Sequence, residues 1–366
     1  MDLAFVIPRL TEVGGAEKYL YNIVKHLSKN NDCIIYTLKY DKKRYPDVNI
    51  KEINLTGFLN KNPGGISTIL DVFSVLKMQK RIPKHHEIYN THIFPANLLN
   101  LPSHVWTAQE PPRMLYDLEN ETLNNLNFTK KQIARIYFPL LRYYDLKKTT
   151  KNVSQIIANS TYSADYIKKI YNKPIKVIYP GIDENLLKIK KYTADEDIIL
   201  SVGRLYKAKR INLIIEAFSK VKNAKLIIIG DGPERNNLEI LSKGLNIEFT
   251  GNIGEKELYK YYSKAKLTIY TPLREMFGMV PMESIASGTP VVAVNEGGFT
   301  EIIKDCAILT NSDSTEISKA INELLTNKSK YKQMSIKGRE IAKEYTWKKT
   351  AEETEKLFKQ LLIEKA

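Results

Sequence analysis

The chain has 366 residues, 43% of them apolar, a formal charge of +15 and only two cysteines. That length allows two ordinary domains, each with a core of its own. No run of about 18 apolar residues is present, so no membrane-spanning helix is expected. The charge bears on partners (nucleic acid, an anionic membrane surface or anionic substrates) rather than on fold.

Short β-rich apolar runs alternate with helical segments along the chain, the pattern of parallel α/β layers. Residues 3–8 read as a short buried strand without the basic flank, long apolar core and cleavage site of a signal peptide, and a cytoplasmic location is expected. A helix over 16–29 follows, then strands over 33–37, 88–91, 104–107, 155–159 and 175–179, with a helix over 161–171. Pro180-Gly181-Ile182-Asp183 and the charged, strand-poor stretch 184–197 then mark a boundary. Beyond it, strands over 198–203, 225–230, 247–250, 266–270, 290–294 and 307–309 alternate with helices over 212–222, 233–243, 255–265, 281–287, 314–326 and 346–362. The reading is α/β: two Rossmann-like domains in series, 1–182 and 183–345. Ligands of open α/β sheets bind beyond the carboxyl ends of the strands, so two such domains facing each other make a cleft.

Cys33 and Cys306 each lie in a strand-like apolar run and read as buried free thiols, with no disulfide or metal site. His26, His85 and His86 read as surface residues. Residues 128–151 are the densest basic part, with Lys130, Lys131, Arg135, Arg142, Lys147, Lys148 and Lys151 against the single acid Asp145, interleaved with Phe128, Tyr137, Phe138, Tyr143 and Tyr144. This segment reads either as a helix lying on an anionic membrane or as a helix packed on its own domain with a solvated face.

The most informative stretch is Arg274-Glu275-Met276-Phe277-Gly278-Met279-Val280-Pro281-Met282-Glu283. Proline is favoured at a first helical position, which puts Glu275 in a loop and Glu283 in the first turn of the next helix. The N–H groups around Gly278, Met279 and Val280 then point out of a helix N-terminus, a ready anion site. Two acids flanking a phosphate cradle suit a nucleotide sugar, one for the ribose diol and one for the sugar hydroxyls. Taken alone, the spacing also fits a loop and an amphipathic helix with two solvated acids.

Other strand ends carry related signals. Arg204 and Lys209 leave the strand at 198–203 five residues apart and can converge on a pyrophosphate, or can be a solvated basic helix start. Gly14-Gly15 follows the first strand and lets backbone approach a ligand closely. Its spacing is not the dinucleotide fingerprint, which disfavours a nicotinamide dehydrogenase. His92 ends another strand, as a structural residue or a site residue. Pro111-Pro112 stiffens the loop holding Glu110 and Arg113. Gly230-Asp231-Gly232-Pro233 reads as a structural turn, and Gly251-Asn252-Ile253 follows the next strand. There is no metal-ligand spacing, no nucleophile elbow and no nucleic-acid reader motif.

The Glu275-x7-Glu283 pair, with Gly288-Thr289-Pro290 and Asn295-Glu296-Gly297-Gly298 after it, resembles the signature of family-4 retaining glycosyltransferases of the GT-B fold. In that fold the last helix, here within 346–366, crosses back to the first domain. The resemblance implies that Arg204 and Lys209 hold the donor diphosphate and stabilise charge on it as it leaves, with no divalent cation. Glu275 would contact the transferred sugar and Glu283 the ribose. Gly14 and Gly15 would close over the donor, Asn252 and Ile253 would meet the base by backbone, and Phe277, Gly278, Met279 and Val280 would line the cradle. His92 matches a position that faces the reacting sugar. The family's common glycine after the lysine is Arg210 here; this Lys-Arg variant and the Glu-Pro-Pro-Arg stretch resemble mannosyltransferases. The implied donor is GDP-mannose, with a UDP-hexose as competitor. The acceptor is a glycan, possible forms including a polyprenyl-linked one in N-glycan or cell-surface polysaccharide assembly on the cytoplasmic face of a membrane. A nucleotide-sugar 2-epimerase and a catalytically silent binding module are the other classes this architecture admits.

Overall fold

The computed structural model describes residues 1–11, 14–55, 67–191 and 197–365. Glu12 and Val13 of the first glycine loop, 192–196 of the expected boundary stretch and Ala366 lie outside the described residues. The chain divides into two compact units, Met1–Pro180 with Trp347–Ala366, and Gly181–Thr346.

The first unit runs β1 (Asp2–Val6), α1 (Gly15–Leu27), β2 (Asp32–Thr37), β3 (Ile50–Glu52), α2 (Ser67–Gln79), β4 (Ile88–His92), β5 (His104–Ala108), α3 (Glu119–Asn124), α4 (Phe128–Asn152), β6 (Gln155–Ala158), α5 (Thr161–Tyr171) and β7 (Ile175–Val177). Its strands form one parallel sheet in the order β3-β2-β1-β4-β5-β6-β7. The near-continuous apolar strands Leu3–Val6, Tyr89 and Val105–Trp106 are fully enclosed, as a sheet covered on both faces requires. The order reverses between β1 and β4, which puts the loops after these two strands at a topological switch point.

The second unit runs α6 (Glu184–Leu187), β8 (Asp197–Val202), α7 (Ile211–Phe218), β9 (Ala224–Ile229), α8 (Arg235–Leu241), β10 (Ile247–Gly251), α9 (Glu255–Lys264), β11 (Leu267–Tyr270), α10 (Met279–Ala286), β12 (Val291–Val294), α11 (Thr300–Ile303), β13 (Ala307–Thr310), α12 (Ser314–Thr326) and α13 (Lys328–Ala342). Its parallel sheet has the order β10-β9-β8-β11-β12-β13, with the switch between β8 and β11. The last helix, α14 (Trp347–Ile363), belongs to the first unit and packs along α1, with Trp347 edge-on to Tyr19 at 5.7 Å.

The sequence reading did not anticipate the short helices α3, α6 and α11, and three further elements, β3, α2 and α13, carry no clear signal. β3 is three residues of an edge strand, Ile-Lys-Glu, too short to show alternation. The apolar residues of α2 spread around the helix instead of marking one face. α13 buries only Met334, Gly338 and Ala342, and is held by polar bonds: Arg339 donates to the carbonyls of Leu187, Ile189 and Ser287 at 2.9, 2.5 and 2.7 Å.

Both cysteines are buried and free, as expected. The surface reading of His86 is corrected: its ring is buried, with Nδ1 2.5 Å from Asp2 Oδ1 and Nε2 2.9 Å from the Tyr36 hydroxyl. Asp2 lies 84 positions away in sequence, so local pattern gives no hint of this partner. Asp145 is likewise enclosed. It accepts from Asn97, Tyr116 and Tyr171 at 2.8, 2.6 and 2.6 Å, which fastens α4 to the rest of the unit.

His92 and His104 are fully enclosed, and burial pushes both imidazoles down to about 3. Because their folded values lie below the ordinary one, the unfolded chain binds more protons between pH 3 and 6.5, and stability falls as pH drops through that window. The two sites together contribute a slope of up to about 2.7 kcal/mol per pH unit. Urea unfolding from pH 7 down to pH 4 should show this loss, and His104→Gln should flatten it; an unchanged slope would remove His104 from the account.

Candidate active site

The site in the second unit is built at its switch point, where the loops after the paired strands β8 and β11 meet. The β8 loop carries Arg204 and Lys209, and the β11 loop carries Glu275. Lys209 Nζ donates to Glu275 Oε2 at 2.6 Å, with both side chains about a quarter exposed. Arg204 stands exposed with its guanidinium 5.5 Å from the Tyr206 ring.

Two devices fix this pair. The first is Gly297, which lies against Glu275 as an isolated parallel bridge, while the Gly298 N–H donates to the Glu275 carbonyl at 2.9 Å. A Cβ on Gly297 would stand 2.4 Å from that carbonyl oxygen, and its φ of +121 suits only glycine. The second is Arg210, in the left-handed region at φ 51, a conformation that costs an ordinary residue about 1 kcal/mol. Its guanidinium donates to the carbonyls of Thr271 and Pro272 at 2.7 and 2.9 Å and to Glu296 at 2.9 Å. One side chain thus ties the β8 loop to the approach to Glu275 and to the segment that clamps it.

Glu283 is the fifth residue of α10, which begins at Met279, so it sits beyond the first turn where the sequence reading placed it. A proline at the third position is tolerated because the first four N–H groups of a helix have no intrahelical acceptor. Gly278 caps the helix without a side-chain bond, so its first-turn N–H groups receive no side-chain cap. Glu283 is buried and accepts from the Tyr262 hydroxyl at 3.4 Å. Burial, and next the Glu283 carboxylate, hold the Tyr262 phenol well above its ordinary value, which keeps it a donor. Phe277 is buried, so any ligand contact there falls to its backbone, while Met279 and Val280 are half-buried.

The neighbouring loops are stacked by close backbone contact. A Cβ on Gly230 would meet the Gly203 carbonyl at 2.0 Å, and the Gly230 N–H donates to the Gly251 carbonyl at 2.9 Å. This brings Asn252, exposed, and Ile253, half-buried, to the same strand-end edge as Arg204.

In the first unit, Gly14 and Gly15 open α1 after β1, with Gly14 as its N-cap. Of the two readings of His92, the structural one fits its surroundings in this conformation. Its ring has no exposed surface; Nε2 donates to Asn90 Oδ1 at 2.7 Å and Nδ1 has no partner among the described residues. A sugar hydroxyl cannot reach it in this conformation, and a fully desolvated neutral imidazole is a poor base. Arg113 is engaged with Asp117 through a bond of 2.7 Å, both side chains buried, so it serves its loop's structure. The sequence reading missed Gln109, whose Nε2 donates to the Ala16 carbonyl at 3.3 Å and so joins the β5 loop to the start of α1. Only its place at a strand end could have signalled it.

Two doubly wound parallel sheets, with an acid–lysine pair at the switch point of the second, are the frame of a GT-B glycosyltransferase. The model described as "Glycosyl transferases group 1" matches residues 183–341, and "Glycosyltransferase Family 4" matches 13–186. An uncharacterised glycosyltransferase of Methanocaldococcus jannaschii is 26% identical, over 96% of this chain and 95% of that protein. The alpha-1,3/1,6-mannosyltransferase ALG2 of Rhizomucor pusillus is 25% identical, over 93% of this chain and 87% of its own length. Sucrose-phosphate synthase from Thermosynechococcus elongatus has a similar fold, with a TM-score of 0.78, 18% identity and 99% of each chain covered. The chain belongs to the family-4 glycosyltransferases.

The Gly297 clamp has a direct consequence. Gly297→Ala should displace Glu275 and lower the turnover rate about 100-fold, the scale of a 1 Å misplacement. Gly244→Ala, also at positive φ but with open space around it, should cost only about 1 kcal/mol of stability. Rates of nucleoside diphosphate release, alongside thermal unfolding, separate the two; equal rates in both variants would refute the clamp.

Proposed function

We propose that the chain is a retaining glycosyltransferase that moves a hexosyl unit, mannose by preference, from a nucleoside diphosphate sugar to an acceptor hydroxyl. The observation that carries the reading is the 2.6 Å contact between Lys209 and Glu275 at the switch point, a cation for phosphate beside an acid for sugar. GDP-mannose is the proposed donor, supported by the Lys209-Arg210 pattern and by the similarity to the alpha-1,3/1,6-mannosyltransferase ALG2, with a UDP-hexose as the competing donor.

In the proposed step the bond from the anomeric carbon to the phosphate oxygen breaks and the bond to the acceptor oxygen forms on the same face. The acceptor proton passes to the leaving phosphate, so no protein base is needed. Arg204 and Lys209 stabilise the charge that grows on the diphosphate, in place of a divalent cation. Glu275 holds the sugar, Glu283 the ribose, and the first turn of α10 the phosphates. A glycan acceptor on a polyprenyl carrier completes the proposal. No helix among the described residues is long and apolar enough to cross a membrane.

A donor screen with lipid-linked acceptors tests this, reading diphosphate release and the anomer of the product. Retained configuration is expected, and an inverted product contradicts the mechanism. Glu275→Ala should lower kcat about 100- to 1000-fold, whereas Glu283→Ala should chiefly raise the donor KM, about tenfold or more. Equal effects on both parameters would contradict the division of roles. Donor turnover without acceptor would point to an epimerase, and donor binding without diphosphate release to a binding module.

A further inference from the structure

α4 presents two different faces. Inward, Ala134, Phe138, Leu141, Asp145 and Thr149 follow helical spacing and are buried against the unit. Outward, Ile133, Ile136, Leu140 and Tyr143 also follow steps of three and four and are 47, 71, 66 and 64% exposed. Phe128, at the start of the helix, is 78% exposed. The inner face already supplies the helix's share of the core, so folding does not require this outer stripe. A contiguous exposed apolar patch of this kind marks an interaction surface.

The charges around the stripe indicate what it meets. Lys130, Arg135, Lys147 and Lys151 are exposed along the same helix, and among the described residues no carboxylate pairs with them. The segment's one acid, Asp145, is buried, and the nearby Glu119 is engaged by Arg142. Lys147 reaches only the Tyr143 ring and hydroxyl within the stripe itself. An apolar stripe bordered by cations with no acid partner, along a helix of about 37 Å, matches an anionic bilayer surface. α4 also packs on the turns Ala96–Leu98 and Arg113–Leu115, which follow the carboxyl ends of β4 and β5. The helix that carries the stripe therefore lies beside the loops at the ligand-binding edge of its own sheet.

We propose that the outer face of α4 docks this protein on an anionic membrane, with Ile133, Ile136, Leu140 and Tyr143 entering the interface and Lys130, Arg135, Lys147 and Lys151 meeting lipid phosphates. This deepens the proposed function, because it brings a lipid-anchored acceptor to the edge where that reading needs it. The docking is measured without any transfer assay, so either proposal can fail while the other stands.

Flotation of the full chain with phosphatidylcholine vesicles, with and without phosphatidylglycerol, is the test. The protein should float with the anionic vesicles alone, and less as salt rises. Replacing Lys130, Arg135, Lys147 and Lys151 by serine should lower partitioning about fivefold per charge removed. Ile136→Ser with Leu140→Ser should lower it about tenfold or more, with circular dichroism and melting temperature unchanged. Ile136→Leu with Leu140→Ile should float like the wild type. Absence of binding to anionic vesicles at low salt would overturn the proposal, as would full binding by both serine variants. So would a wild-type dimer that the apolar serine variant splits while neither form floats, which would assign the stripe to a second copy of the chain.

Discussion

The proposed donor site depends on one contact, the ion pair between Lys209 and Glu275. A pair this exposed contributes on the order of 1 kcal/mol to stability; its importance lies in where it is held. The reversal of strand order brings the β8 and β11 loops side by side, and the pair closes the gap between them. The remaining features act on that placement. Gly297 and Gly298 clamp the backbone of Glu275, and Arg210 bonds both the segment before Glu275 and the segment that clamps it. A cation suited to phosphate and an acid suited to a sugar hydroxyl thus stand in fixed register before any ligand arrives, which is how preorganised electrostatics lower a barrier.

Arg210 shows how a departure from a common pattern can be absorbed. Glycine adopts the left-handed region freely, and arginine does so at a cost. Here its guanidinium makes a set of hydrogen bonds that glycine could not make. They offset the backbone strain and stiffen the loop that carries Lys209, so the same residue supplies both the strain and its compensation.

Much of this architecture was legible in the sequence because central parallel strands buried on both faces leave continuous apolar runs; among the described strands only β3 was not anticipated, and the edge strands β7 and β10 show a weaker pattern. The two glutamates and the glycines around them were legible because strand-end loops need unusual backbone, and glycine and proline mark it. The two histidines were harder to place because most of the groups that enclose them are distant in the chain. His92 sits at a strand end like a site residue, yet Asn90, Phe5 and Tyr19 enclose it. His86 sits in a polar stretch like a surface residue, yet Asp2 and Tyr36 take it in. In the basic segment composition left two readings open. Burial of Asp145 and Phe138 and exposure of Ile136 and Leu140 show that one helix satisfies the core on one side and leaves an apolar stripe on the other.

The central claim is that Lys209 and Glu275 act as one unit, and a double-mutant cycle measures this directly. Lys209→Met, Glu275→Gln and the double variant would be compared by kcat/KM for donor turnover. If each residue holds the other in place, the losses are strongly non-additive, with a coupling of about 1–3 kcal/mol and a double variant little worse than the poorer single one. Losses that simply add would mean that the two residues act independently, and the account of the site as a preformed pair would be wrong.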